Sequence, residues 1–593
     1  MSVVQKGGGR AFQGRFFSVL TTPSVEPHYG TGCFRGRVCG LTELWVNLCL
    51  VFLCAAATVP GVNESHYLPK AKHLWDSGFA PGDLFLESHD SHFLTSMLAG
   101  VSARWLPLEA VAWLGRLLSW LLLAWSWQRL RKSLELSPAV GALALAGWLL
   151  ALHYGNWAGE WVVGGFEAKT IAYPLVLQGL ASMINGKWQW VWVWMGAAMA
   201  WHPLVGGWAG LGAGLVWAIE PELPRRLLQQ LPWLAGGVIL GCIGVLPALS
   251  GLSGPDVVER VSAAQVHVYM RLPHHLSPQL FAVERHWAAA TNLALFVAVT
   301  ILFLNTKDQQ NPQQLAGSSR LLRVGWMAVL FALVGLAVDG LLSQDRPDIA
   351  ARLLRFYWFR WSDVAVPLVS SLLLWQWLAR SPRTSSKVRD SFDTRSPAGT
   401  EPTAGIKVGR GVCAVLVTIL TVGGLASGLQ LSSQRIIPAA DRLVVDSVGN
   451  NVIDSDRYVD WLAVCQWIRE NTPSDSLWLT PKYQQSFKWH AQRAEVVCWK
   501  DVPQDNASVI EWYHRIEQCA PPRADDGSIT DWTTEELLEL SRRYGFNWVL
   551  IDRSYQSQPP ALEIMYPVIH NGQYIDNRSF AVMRIPDVLN SQQ

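Results

Sequence analysis

Two short runs, Asn63-Glu64-Ser65-His66-Tyr67 and Glu87-Ser88-His89-Asp90-Ser91-His92, interleave carboxylates with imidazoles in one stretch between apolar segments. Such a set suits two kinds of chemistry. A carboxylate beside a dry wall can have its proton affinity tuned for general-base work. Two carboxylates with a histidine can hold a divalent cation, and oxygen-rich coordination would select magnesium or manganese. Glu64, Asp83 and Asp90 are the candidate catalytic groups, with His66, Glu87 and His89 as candidate substrate contacts. No residue is assigned as a metal ligand. The bland alternative is a loop that is simply hydrophilic, but imidazole and carboxylate crowded beside apolar spans favour function.

Gly164-Gly165-Phe166-Glu167-Ala168-Lys169, with Glu160 just before it, places charge at the mouth of another apolar segment. Unpaired charge is expensive there, so Glu167 and Lys169 either pair locally or grip an anionic head group. The two glycines permit close backbone approach. Arg355-Phe356-Tyr357-Trp358-Phe359-Arg360-Trp361-Ser362-Asp363 supplies guanidinium forks suited to phosphate, although Arg360 and Asp363, three residues apart, can equally pair with each other. The long segment 251–286 adds Arg271 and a His274-His275 pair, and a loop of that length is often functional. His202, followed by Pro203, reads as a substrate contact or a structural hydrogen-bonder at a helix break.

These groups must be positioned by a membrane bundle. The 593 residues carry only 16% charge and 32 tryptophans, with a mean hydropathy of +0.17. A soluble chain would carry about 25% charge. Apolar runs at 41–60, 108–128, 138–154, 168–184, 188–201, 203–219, 231–250, 287–304, 324–342, 362–379 and 411–430 give about eleven expected spans in a helical domain covering 41–430. Arg129-Leu130-Arg131-Lys132, Lys187, Arg225-Arg226, Arg320 and Arg323 lie in one alternating set of loops, whereas 61–107 and 154–167 are neutral or acidic. The bias predicts a cytosolic N-terminus, with loops 61–107 and 251–286 outside. Residues 1–40 read as a disordered cytosolic tail and 381–409 as a flexible cytosolic linker.

Residues 440–593 change character. Helical patterns at 457–471, 506–519 and 533–544 alternate with β-like runs at Ser476–Thr480, Ala494–Trp499, Trp548–Asp552 and Ser579–Ile585. They predict a small extracytoplasmic α/β domain. Cys465, Cys498 and Cys519 would then share an oxidising space that permits one disulfide. No basic run, zinc-spaced cysteine set or phosphate-cradling glycine loop points to nucleic acid or a nucleotide fold.

The acidic residue just past the first span, the large first outer loop, the many helices and the outer C-terminal domain together resemble the GT-C class of membrane glycosyltransferases. The patterns Asn63-Glu64-x-His66-Tyr67, Gly82-Asp83-x-Phe85, Phe166-Glu167-Ala168-Lys169 and Phe359-Arg360-Trp361-Ser362-Asp363 resemble more closely a family of bacterial multi-spanning membrane proteins with no assigned activity. The first resemblance implies a polyprenyl-phosphate sugar donor, an envelope glycan, lipid or protein acceptor, and an inner-membrane enzyme acting at the outer face. It implies a first-loop carboxylate as base, here Glu64 with Asp83 and Asp90 as rivals, and Lys169, Arg271, Arg355 or Arg360 on the leaving phosphate. Asn63-Glu64 departs from the Asp-containing pairs of several GT-C families. A transporter or flippase of lipid-linked material, or a noncatalytic scaffold, are the rival readings; a transporter would show internal repeats and mid-membrane charges.

Overall fold

The computed structural model describes residues 32–220, 223–307, 311–379, 437–442, 455–519, 532–554, 560–567, 569–570, 573–574 and 577–586, with single positions at 415, 418, 422 and 423. The linker at 381–409 and nearly all of the span expected at 411–430 lie outside these residues, as does most of the N-terminal tail. Two compact units are present, Met1–Glu43 and Leu44–Gln593. In the first, the described residues form the opening of a helix, Gly32–Ala55, so helical structure begins before residue 41.

Helices stand on ten of the eleven apolar runs, but only six are long and apolar enough to cross a membrane: Leu108–Ser133, Pro138–Gly155, Leu227–Ser250, Val283–Thr306, Pro312–Leu342 and Arg360–Ala379. The expectation of eleven crossings is therefore met only in part among the described residues. Length explains three of the four that fall short. Ala168–Ile184, Trp188–Trp201 and Pro203–Ala218 have 17, 14 and 16 residues. At 1.5 Å per residue such helices reach roughly 21–26 Å, short of a hydrocarbon core of about 30 Å. Ala168–Ile184 is buried at every position except Leu175, so it runs through the bundle interior.

His202-Pro203 is a break between two helices, Trp188–Trp201 and Pro203–Ala218. His202 has extended backbone, Pro203 occupies the first helical turn, and the His202 ring caps the new helix by accepting from the Val205 amide at 3.3 Å. By contrast, Pro232 and Pro247 are carried inside Leu223–Ser250. Tryptophan serves two roles, at the surface and in the core. Trp105 is 80% exposed, whereas Trp120, Trp127, Trp148 and Trp361 lie in the core, with the Trp127 and Trp148 rings stacked 5.4 Å apart.

The C-terminal region is a five-stranded mixed sheet in the order Ala494–Glu495, Leu477–Leu479, Trp548–Asp552, Phe580–Arg584, Glu563–Tyr566. The first three strands pair in parallel and the last three antiparallel. Helices Ser455–Asn471, Asn506–Cys519 and Thr534–Tyr544 accompany them. Trp548–Asp552 is buried at every position, as a central strand covered on both faces requires. Cys465, Cys498 and Cys519 are buried and unpaired, so the disulfide that compartment would permit does not form among them. This sheet region packs onto the first loop: Asp83 caps the turn Leu84–Glu87 by accepting from the Leu86 amide and also accepts from the Glu495 amide at 3.1 Å.

Candidate active site

One cavity of about 1130 Å³ lies where the first loop, several helix ends and the C-terminal region meet. Its apolar walls come from Leu53, Leu149, Leu152, Met199, Leu204, Val245 and Leu249, all on bundle helices. Its polar wall holds seven of the residues singled out in the sequence: His66, Glu167, Lys169, His202, Arg271, Arg355 and Arg360. Asn63, Tyr67, His92, Glu160, Tyr357, Lys500 and Gln504 share that wall.

Glu64, Asp83, Asp90, Glu87, His89 and Asp363 do not line the cavity. Glu64 lies just behind the wall, wholly buried. Its carboxylate accepts from Arg116 Nε at 2.7 Å and Nη2 at 2.6 Å, from the Gly61 amide at 2.7 Å and from the Phe166 amide at 2.6 Å. Gly165 makes this fit possible, because a Cβ there would lie 2.9 Å from the Glu64 carboxyl carbon. A bidentate arginine and two amides fill the acceptor positions of this group. Asp90 accepts from the His92 amide at 2.8 Å and leaves its other oxygen buried without a hydrogen bond. Glu87 accepts from the Gly82 amide at 2.6 Å, and the His89 ring meets the Pro247 carbonyl.

Asp363 does not pair with Arg360. It accepts from the amides of Trp157, Ala158 and Glu160 at 2.9, 2.8 and 3.3 Å, fixing the 156–160 turn. Arg360 instead turns to Glu160, with Nε 2.8 Å from Oε2, and its Nη1 lies 3.2 Å from His202 Nε2. Lys169 sits between Glu160 (3.4 Å) and Glu167 (3.1 Å) and over the Trp161 ring. Glu167 also accepts from Asn63 Nδ2 at 2.7 Å, and Asn63 in turn accepts from Lys500 Nζ at 2.9 Å. This sector is internally balanced: Lys169 and Arg360 face Glu160 and Glu167.

The neighbouring sector is not balanced. Arg271 donates to the backbone carbonyls of Trp499 at 2.8 Å and Lys500 at 3.3 Å, and Lys500 donates to Asn63. Among the described residues neither cation has a carboxylate within ion-pairing distance. Desolvation, then the charge of Arg271, brings Lys500 down to about 8. Burial and nearby arginines hold His267 and His274 neutral, at about 3 and about 4. Arg355 is a third cation here, 3.8 Å from Asp256 and donating to Asn506. Buried cations without counter-charge are costly unless an anion arrives to complete them.

Behind His66 lies a second charged cluster. His66 Nδ1 is 2.6 Å from Asp501 Oδ1. Lys488 sits among Asp501, Glu495 and Asp83, 3.2 Å from the last, and three carboxylates raise its affinity for a proton despite burial. Glu495, Cys498 and Asp501 bring ligand-type atoms within 4.8 Å of one another. The Lys488 ammonium already contacts both of these carboxylates, so the residues do not fit a divalent ion beside it. Lys488, Lys500 and Asp501 escaped the sequence reading, since each is a lone charge in the C-terminal region with no motif around it.

Residues 459–519 match a domain of unknown function, DUF6798. No curated protein matches the chain. Among solved structures, the chain is similar to ArnT from Cupriavidus metallidurans bound to undecaprenyl phosphate, at 14% identity and a TM-score of 0.45, over 95% of this chain and 100% of that one. It is also similar to the Archaeoglobus fulgidus oligosaccharyltransferase in the apo form, at 10% identity and a TM-score of 0.41. The same archaeal enzyme, AglB, in complex with an inhibitory peptide and a dolichol-phosphate gives 10% identity and a TM-score of 0.40. Each of these two alignments covers 86% of this chain and 69% of the other.

Proposed function

We propose that this chain is an integral membrane glycosyltransferase that moves a sugar from a polyprenyl-phosphate donor to an envelope acceptor at the outer face of the inner membrane. One observation carries the reading: the unpaired cations Arg271 and Lys500 share a cavity with apolar walls built from bundle helices. An anionic head on an apolar tail satisfies both halves of such a site. Arg271 and Lys500, with Arg355 beside them, hold the phosphate, and the tail lies along Leu149, Leu204 and Leu249. As the bond to the sugar breaks, negative charge grows on the leaving phosphate, where fixed donors stabilise it most.

Lys169, Arg360, Glu160 and Glu167 form the balanced sector, suited to the neutral, hydroxyl-rich sugar. Glu64 and Asp83 act by positioning: Glu64 fixes Arg116 and the Phe166 amide next to Glu167, and Asp83 docks the first loop on Lys488. Among the described residues, no three metal-ligating side chains of the first loop come together for the magnesium or manganese anticipated there, and no step depends on it. The Lys/Arg bias of the loops supports a cavity on the outer face and a cytosolic N-terminus.

The test uses full-length protein reconstituted in liposomes with a labelled sugar on undecaprenyl phosphate and an envelope extract as acceptor. Saturable binding of undecaprenyl phosphate and a labelled product are expected. Binding that is absent, or indifferent to Arg271→Gln with Lys500→Gln, sinks the reading. So does a C-terminal tag accessible from the cytosol.

A further inference from the structure

The proposed transfer needs a group that takes the acceptor's hydroxyl proton. His66 is held for that task by a residue from the far end of the chain. Its Nδ1 lies 2.6 Å from Asp501 Oδ1, and both side chains are 5% exposed. The Asp501 carboxyl is held in the ionised form, because Lys488 and His66 outweigh its burial. An ionised carboxylate can only accept, so the ring proton sits on Nδ1. Nε2 then carries a lone pair. It makes no hydrogen bond among the described residues, and His66 lines the cavity.

The ring is fixed in place. It stacks on Phe85 at 3.9 Å and meets Tyr67 edge-on at 4.5 Å. Asp501 is fixed in turn by Lys488, which also binds Glu495 and Asp83. A base oriented by a carboxylate, itself oriented by a third group, is the arrangement that general-base chemistry requires. The charged groups facing the ring are Asp501, Lys500 and Lys488. Burial outweighs Asp501 and brings His66 down to about 4, so Nε2 is unprotonated at neutral pH.

We propose that His66 Nε2 is the proton acceptor of the transfer reaction and that Asp501 is its positioning residue. This rests on the transferase reading above. The acceptor's O–H bond breaks and its proton passes to Nε2, giving an imidazolium whose charge Asp501 balances. The acceptor oxygen forms a bond to the anomeric carbon. The bond from that carbon to the phosphate oxygen breaks, and its electron pair leaves on the phosphate beside Arg271 and Lys500. The first loop supplies the base and the C-terminal region supplies its orienter, so the centre is complete only when the two are docked.

Full-length protein in liposomes is compared as wild type, His66→Gln and Asp501→Asn. Two readouts are taken: labelling by diethyl pyrocarbonate, which needs an accessible neutral ring nitrogen, and sugar transfer with undecaprenyl-phosphate binding measured alongside. Wild-type His66 is expected to be labelled at pH 7. His66→Gln is expected to lose about 10²- to 10⁴-fold in transfer, the usual scale of general-base catalysis, with binding kept within about threefold. Asp501→Asn should move the acid limb of the transfer profile, which a merely structural role would leave in place. A His66 that resists labelling overturns the assignment whatever the activity. A His66→Gln enzyme that transfers within tenfold of wild type overturns it too, while leaving the transferase reading intact. A wild type that neither binds the lipid phosphate nor transfers sugar overturns both.

Discussion

Arginine is used in opposite ways at two places in this bundle. Beyond helix Ala168–Ile184, Arg320 and Arg323 both meet Glu220, at 3.0 and 2.8 Å, and Arg320 also donates to the carbonyls of Met183 and Ile184. One carboxylate and two helix-end carbonyls satisfy that pair, and nothing is left to bind. In the cavity, Arg271 likewise donates to backbone carbonyls, those of Trp499 and Lys500, but among the described residues no carboxylate pairs with it. The difference separates an arginine that holds helices from one that, on the proposed reading, receives the anionic head of the donor. Exposure alone does not reveal it, because Arg271 is the more buried of the two, at 8%.

Four measurements sharpen or break that contrast. The largest effect is expected for Glu64→Gln, which strands the fully buried Arg116. Removing one partner of such a pair costs about 3–5 kcal/mol, so unfolding in detergent should shift strongly; a change below about 1 kcal/mol would mean Arg116 finds another partner.

The second concerns acid. His66 sits at about 4 when folded, against an ordinary 6.5, so the unfolded chain binds its proton first as pH falls. Stability from this group is full above about 6.5, is lost progressively toward pH 4 and amounts to about 3 kcal/mol at most. His66→Gln should flatten that part of the stability profile, and an unchanged slope would locate the acid sensitivity elsewhere. Third, Arg271→Gln should weaken undecaprenyl-phosphate binding about 10- to 100-fold, as expected for one charge-assisted contact of about 1.5–3 kcal/mol, without lowering the unfolding midpoint. Equal binding would remove Arg271 from the anion site. The smallest effect is expected at Arg323, 38% exposed on the side chain: Arg323→Ala should change stability by less than about 1 kcal/mol and leave lipid binding alone.

Much of the scaffold was legible because apolar period and turn chemistry are local. Helix Asn506–Cys519 and strand Trp548–Asp552 occupy the residues their patterns marked, and Pro203 marked an interruption of the helix without deciding between a break and a kink. Strand Glu563–Tyr566 was not, since four residues at a sheet edge, the first two of them exposed, give little signal. The polar wall was legible where charge met the mouth of a span, as at Glu167, Lys169 and Arg360. What no local pattern could show is pairing at distance. Arg360 and Asp363 had the spacing of an ion pair, yet three amides hold the aspartate and Glu160 takes the arginine. Glu64 stood in the most suggestive motif, and only the fold reveals Arg116 against it. Asp501 meets His66 across 435 positions, a separation that carries no compositional trace.

That separation bears on how the protein is made. Ribosomes deliver His66 and Asp83 early, with Lys488 and Asp501 hundreds of residues behind. Until the last part emerges, His66 lacks Asp501 and Asp83 lacks Lys488. On the proposed reading, an immature chain therefore lacks a complete reaction chamber until its C-terminal region has been made.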